Sequence, residues 1–260
     1  MGSMNTTSRM PVVFIGHGSP MNALGGPNAQ VWRELAAGLP RPKAILAISA
    51  HWCLNETAVT AMAAPKTIHD FGGFPQPLFD MQYPAPGDAA LAARTAQLLA
   101  PMAVRADQDW GLDHGTWSVL AHMYPNADVP VVQLAMDLSQ PMPTHYEIGR
   151  RLAPLRDEGV LILGSGDVVH NLRAAVRGEN AAPLDWAQHF HDAVRGRLSA
   201  GDHGALIDPG GLGPEAGMAV DEHYLPLLYA LGASEPGEPV ALFNDHIDLG
   251  SISMLGARIG

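Results

Sequence analysis

The chain has 260 residues, with 15 Lys and Arg against 26 Asp and Glu for a net charge of −11, and 47% apolar residues against 16% charged ones. That acidic balance offers no basic footprint for nucleic acid or a membrane surface, and no apolar run nears the ~18 residues of a spanning helix. The one cysteine, Cys53, has no partner within the chain, so a disulfide scaffold is excluded and a reducing, cytoplasmic setting is expected.

One domain is expected over residues 10–260, since α/β folds of ~200–250 residues commonly form a single unit whose core needs no staples. Residues 1–9 read as a disordered tail, in which Met1-Gly2-Ser3-Met4 has the look of an expression scar before a native Met4.

The first apolar run, Pro11 to Ile15, leads into Gly16-His17-Gly18-Ser19-Pro20. A helical period follows over Ala29 to Gly38, and a second strand, Ala44 to Ala50, ends at His51-Trp52. Ala63 to Gly87 lacks either period, so it reads as a functional lid or a disordered segment, and its aromatics, Phe71 and Phe74 among them, favour the lid. Asp88 to Leu99 and His145 to Arg156 read as helices around a strand at Val129 to Ala135. The strand Gly159 to Leu163 runs into Gly164-Ser165-Gly166 with His170 beyond, and Leu184 to Leu198 is helical. After an irregular stretch, Gly201 to Ala219, a helix over Asp221 to Leu228 carries Glu222 and His223 near its start, with Pro226 in the first turn, where it is tolerated. Pro239 to Phe243 and Ser251 to Ile259 suggest an antiparallel hairpin at a sheet edge. Continuously apolar strands alternating with helices predict an α/β fold, a mixed sheet covered on both faces. Ligands then bind beyond the carboxyl ends of the strands, where His17 and His51 fall.

His17, His51 and the Glu222-His223 pair form a possible metal set, since two His and a carboxylate with open positions make the non-haem Fe(II) arrangement. Each imidazole alone is equally compatible with a hydrogen-bonded structural role, although Gly16 and Gly18 allow close ligand approach at His17. His114 and His170 are candidates for general acid or base. The alternative for His114 is a helix-start histidine held by Asp113, and for His170 a helix N-terminal residue. Gly164-Ser165-Gly166 lacks the third glycine of a dinucleotide loop, and Ser19 lacks the Gly-x-Ser-x-Gly order of a hydrolase nucleophile. Cys53 is either a soft ligand or a buried thiol. His122, His145, His189, His191, His203 and His246 read as surface or structural, and His69 is left open.

Taken together, Gly16 to Asn22, Ser49 to Trp52, Thr67 to Pro75, Asp113-His114-Gly115, Val169 to Leu172 and Glu222 to Leu228 resemble the 4,5-DOPA extradiol dioxygenase family. This branch belongs to the class III ring-cleaving dioxygenases related to protocatechuate 4,5-dioxygenase, and the likeness runs from about Met10 to Gly260. The resemblance implies one catalytic domain and one mononuclear metal, Fe(II) for ring cleavage or Zn(II) as isolated, with O2 as co-substrate. It implies His17, His51 and His223 as ligands, with His170 either a further ligand or the acid/base and His114 beside the substrate. In the protocatechuate branch the third ligand is a Glu, so Glu222 is expected behind His223 rather than on the metal. Phe71, Phe74 and Ser19 would contact a small catechol such as L-DOPA, in a monomer or small homo-oligomer. A zinc-dependent hydrolase and a non-catalytic binding protein on the same fold are the alternatives.

Overall fold

The computed structural model describes residues 9–176, 178 and 181–260. The tail expected over residues 1–8 lies outside the described residues, while Arg9 belongs to the fold and donates to Glu235 at 3.2 Å. Strands β1 (Val12–Gly16), β2 (Ala44–Leu54), β3 (Ala58–Thr60), β4 (Arg105–Asp107), β5 (Val131–Asp137), β6 (Val160–Gly166), β7 (Val240–Phe243) and β10 (Gly256–Ile259) form one sheet in the order β4-β3-β5-β2-β6-β1-β10-β7. The four central strands β5, β2, β6 and β1 are parallel, and β10 joins β1 antiparallel. The expected terminal hairpin exists as the β10–β7 pair, but a two-stranded ribbon, β8 (Ile247–Asp248) with β9 (Ile252–Ser253), interrupts its connection. Three-residue β3 and β4 carry too short a pattern to be read from sequence.

The helices are α1 (Pro27–Ala37), α2 (Gln76–Asp80), α3 (Ala89–Leu99), α4 (His114–Met123), α5 (Met142–Leu152), α6 (Pro154–Asp157), α7 (Asp185–Ala200), α8 (His203–Ile207), α9 (Ala216–Ala219) and α10 (Leu225–Ala233). The helix expected from His145 to Arg156 breaks before Pro154, which has no amide hydrogen for the helical ladder. Because side chains alternate along a strand, Val12 and Phe14 of β1 join one core with Leu91 of α3, Ile148 of α5, Phe190 of α7 and Leu228 of α10. Val13 and Ile15 enter the opposite core with Trp32 of α1 and Trp117 of α4. The result is a three-layer α/β/α domain with a mixed sheet.

Two irregularities shape the carboxyl end of this sheet. Strand β2 keeps register with β5 at Ile48–Leu134 and resumes at Cys53–Met136, so Ser49 to Trp52 stand opposite Ala135 alone. Such a bulge twists a strand and re-aims its side chains, and it places His51 inside β2 rather than beyond it. At the end of β6, a Cβ on Gly166 would be driven into the His223 carbonyl oxygen, so only glycine admits the turn that carries His223. Asp167 N–H donates to that same carbonyl at 2.9 Å. Gly166→Ala is expected to cost about 1–3 kcal/mol through overpacking and to displace His223. A urea midpoint equal to that of the parent protein would count against this close approach.

Candidate active site

Five imidazoles far apart in sequence converge at the carboxyl ends of the central strands: His17 after β1, His51 in the β2 bulge, His114 opening α4, His170 after β6 and His223 in the turn before α10. The His17 ring centre lies 5.0 Å from His51, 5.4 Å from His223 and 5.7 Å from His114. His51 and His114 are 3.9 Å apart, and His170 stacks on His223 at 3.5 Å. Asp113 caps α4 by accepting the Thr116 amide, which makes His114 the helix-start residue the sequence allowed for. His170 opens no helix; it pairs with Ile252 of β9.

Hydrogen bonds determine where the protons sit. Ser165 Oγ–H donates to the Gly115 carbonyl at 2.6 Å, so His17 Nδ1–H must donate to Ser165 Oγ at 3.0 Å. The lone pair of His17 is thereby left on Nε2, which faces His51 Nε2 at 3.0 Å. Asp70 Oδ2 lies 3.5 Å from His51 Nδ1 and 3.0 Å from His114 Nδ1, while Asp70 Oδ1 accepts the His114 amide at 2.9 Å. A carboxylate only accepts, so the Asp70 charge beside His51 Nδ1 favours a proton on that nitrogen and a lone pair on Nε2. His170 Nδ1 donates to Asp221 Oδ2 at 2.7 Å, which frees His170 Nε2. Two ring nitrogens at 3.0 Å must share either a proton or a cation, and His114 Nδ1, His223 Nδ1 and Asp167 Oδ2 are buried without hydrogen-bond partners. These are features of a metal-binding cluster, with the carboxylate–histidine pairs that hold ligand rings in place.

Burial, reinforced by the neighbouring imidazoles, holds His17 well below its ordinary value and brings His51 down to about 2. Burial also lowers His223, against an upward pull from Asp221. Burial would raise Asp70 and Asp221, but the His114 ring and amide beside the first, and the His170 and His223 rings beside the second, hold both carboxyls below their ordinary values. Asp167 goes the other way, raised well above its ordinary value by burial.

These directions set a pH dependence for the metal-free protein. The three imidazoles stay neutral in the fold but charge in the unfolded chain below their ordinary value of 6.5, so stability falls as pH drops through that value. Asp167 has the opposite sign and works against this trend. Each uncompensated imidazole contributes up to about 1.4 kcal/mol per pH unit. Chelator-treated protein is expected to have a lower urea midpoint at pH 5.5 than at pH 7.5, and a flat profile would contradict the buried neutral cluster.

The lid region Ala63 to Gly87 is pinned as a wall over this cluster. Ile68 N–H donates to the Leu112 carbonyl at 2.8 Å and Trp117 Nε1–H to the Ile68 carbonyl at 2.8 Å. Phe71 meets the His114 ring edge-on at 5.5 Å and packs with Phe74 and Phe79 at 5.5 and 5.1 Å. His69 bonds the Met81 carbonyl at 3.0 Å within the same wall. Ser19 Oγ accepts the Met21 amide at 3.2 Å and caps the turn after His17. Glu222 is 44% exposed with Oε1 3.7 Å from His223 Nδ1. Cys53 donates to the Ala50 carbonyl at 3.2 Å, its thiol pushed up to about 12 by burial, and it joins no ligand-spaced group among the described residues. His122, His145, His191 and His203 have hydrogen-bond partners elsewhere, His246 pairs with Asp248, and the His189 side chain is 72% exposed.

Sequence reasoning assigned no role to Asp70, Asp167, Asp221 or Ser165. Their signal was position: Asp221 stands two residues before His223, and Asp167 three before His170. Ligand histidines need acceptors for their second nitrogen, and those acceptors are the residues to look for next.

The sequence profile of the LigB family, the catalytic LigB subunit of aromatic ring-opening dioxygenase, matches residues 12–253. The chain belongs to this family. The "4,5-DOPA dioxygenase extradiol" of Escherichia coli (strain K12) is 48% identical over 261 residues, covering 98% of this chain and 96% of that protein. That of Beta vulgaris is 38% identical, covering 92% of each. The crystal structure of uncharacterized protein JW3007 from Escherichia coli K12 superposes with a TM-score of 0.84 at 43% identity, covering 97% of this chain and 100% of that one. The chain is thus an extradiol-type aromatic ring-opening dioxygenase, an oxidoreductase whose family implies a metal and O2. The hydrolase and non-catalytic alternatives fall away. No described helix is long and apolar enough to cross a membrane.

Proposed function

We propose that the chain opens catechols, L-DOPA among them, beside rather than between the two hydroxyls, using one divalent ion held by His17, His51 and His223. The observation that carries this reading is the pair of Nε2 atoms of His17 and His51 brought to 3.0 Å, with the His17 tautomer set by Ser165 and the Asp70 carboxylate behind His51. Fe(II) is the working metal in this proposal, and Zn(II), which fits histidine donors but has no redox chemistry, gives the form isolated. When bound, the ion would gather both catechol oxygens and O2 and make the hydroxyls more acidic.

The chain's own groups then have separate tasks. His170, its Nδ1–H held by Asp221, offers Nε2 to take a catechol proton and later return it. With Zn(II) bound, the same nitrogen would serve as a further ligand. His114, held by Asp70, offers Nε2 to the substrate or to the reduced oxygen. Phe71 and Phe74 supply an apolar wall for the ring and keep water from it. Ser19 completes the substrate contacts, and Glu222 stands behind His223 without reaching the metal. The product is a muconic semialdehyde, released in the cytoplasm by a monomer or small homo-oligomer.

The test is anaerobic reconstitution with Fe(II) or Zn(II), followed by oxygen uptake and visible absorbance with L-DOPA and protocatechuate. Stoichiometric oxygen use and a yellow product with Fe(II) alone are expected. Bound Fe(II) with no oxygen use on either catechol would overturn the assignment.

A further inference from the structure

We propose that Asp167 supplies a carboxylate ligand to the metal centre, completing the histidine set with a negative charge. This rests on the reading of His17, His51 and His223 as metal ligands. Asp167 leaves β6 with its amide bonded to the His223 carbonyl at 2.9 Å and its Oδ1 accepting the Gly18 amide at 3.1 Å. It is thereby fastened to the two segments that carry His17 and His223. Its other oxygen, Oδ2, is buried, has no hydrogen-bond partner and lies 3.7 Å from His17 Nε2. A carboxylate oxygen of Asp167 and one ring nitrogen from each of His17 and His223 all lie within 4.8 Å of one another.

A buried carboxyl with a free oxygen must keep its proton or meet a donor or a cation, and no donor reaches Oδ2, which leaves that oxygen for a cation to displace the proton. The other acids of the site have different engagements. Asp70 accepts the His114 amide and lies beside the His114 and His51 rings, Asp221 holds His170, and Glu222 is 44% exposed. Three neutral imidazoles leave the full charge of a divalent ion inside the protein. One carboxylate halves it and makes the mixed nitrogen and oxygen donor set of non-haem Fe(II) centres. The carboxylate of this site would thus come from the end of β6, not from Glu222.

Asp167→Asn keeps an acceptor for the Gly18 amide and removes only the charge. Co(II) and Zn(II) affinities, read by chelator competition on the full chain, are compared for the parent, Asp167→Asn and His17→Ala, alongside melting midpoints of the metal-free proteins. The expected result is at least about tenfold weaker binding in Asp167→Asn with a metal-free midpoint no lower than the parent's. Parent-like affinity in Asp167→Asn while His17→Ala loses metal overturns the Asp167 assignment alone. Weaker binding with a lowered metal-free midpoint makes Asp167 a structural residue and overturns it too. Parent-like affinity in His17→Ala overturns the underlying ligand set. Should Asp167→Asn not fold, Asp167→Ser is read by the same criteria.

Discussion

His17→Ala is expected to abolish ring opening because it abolishes metal binding. The reasoning starts from Ser165. Its hydroxyl is used up on the Gly115 carbonyl, so it can only accept from His17 Nδ1 and thereby directs the lone pair of His17 inward. Removing a partner of this kind from behind a ligand typically weakens metal binding about 10–100-fold. Removing the ligand itself must cost more than about 100-fold, and activity falls with it. Metal content by elemental analysis and oxygen uptake after Fe(II) reconstitution should fall together, with the far-ultraviolet spectrum unchanged. Activity retained with metal retained would show that another residue holds the ion.

His170→Ala should separate binding from chemistry. The ring lies against His223, with its Nδ1–H committed to Asp221, so its free nitrogen is suited to proton transfer. General acid–base groups contribute about 10²–10⁴-fold. The expected result with Fe(II) is a kcat lower by about that factor and a KM within a few-fold of the parent. Iron content should stay near the parent's. Loss of iron in step with loss of rate would place His170 among the ligands instead.

The fold was legible where the pattern was long. The apolar runs of the four central strands and the caps and periods of the main helices stand out in the sequence because both faces of the sheet are covered. Strands β3 and β4, of three residues each, are held by pairing across the sheet rather than by any local pattern. The β2 bulge was invisible because it is a mismatch between two strands, and a strand's own residues do not record its partner's register. Histidines beside glycines at strand ends advertise a site. The carboxylates behind them do not, because an Asp in a turn reads as turn chemistry until its distance to an imidazole is known.

Asp70 ties the wall to the chemistry. One carboxylate in the Ala63 to Gly87 segment reaches the His114 amide and lies beside the Nδ1 atoms of His114 and His51. Lifting that segment would therefore release the proton arrangement of two active-site rings as well as uncover the pocket. Side-chain motion of Phe71 and Phe74 would leave Asp70 in place, whereas lifting the whole segment would take it away from both rings. Retuning the enzyme for bulkier catechols then becomes a problem of recarving those aromatics around a fixed Asp70, with shortening or lengthening the segment the route that forfeits activity.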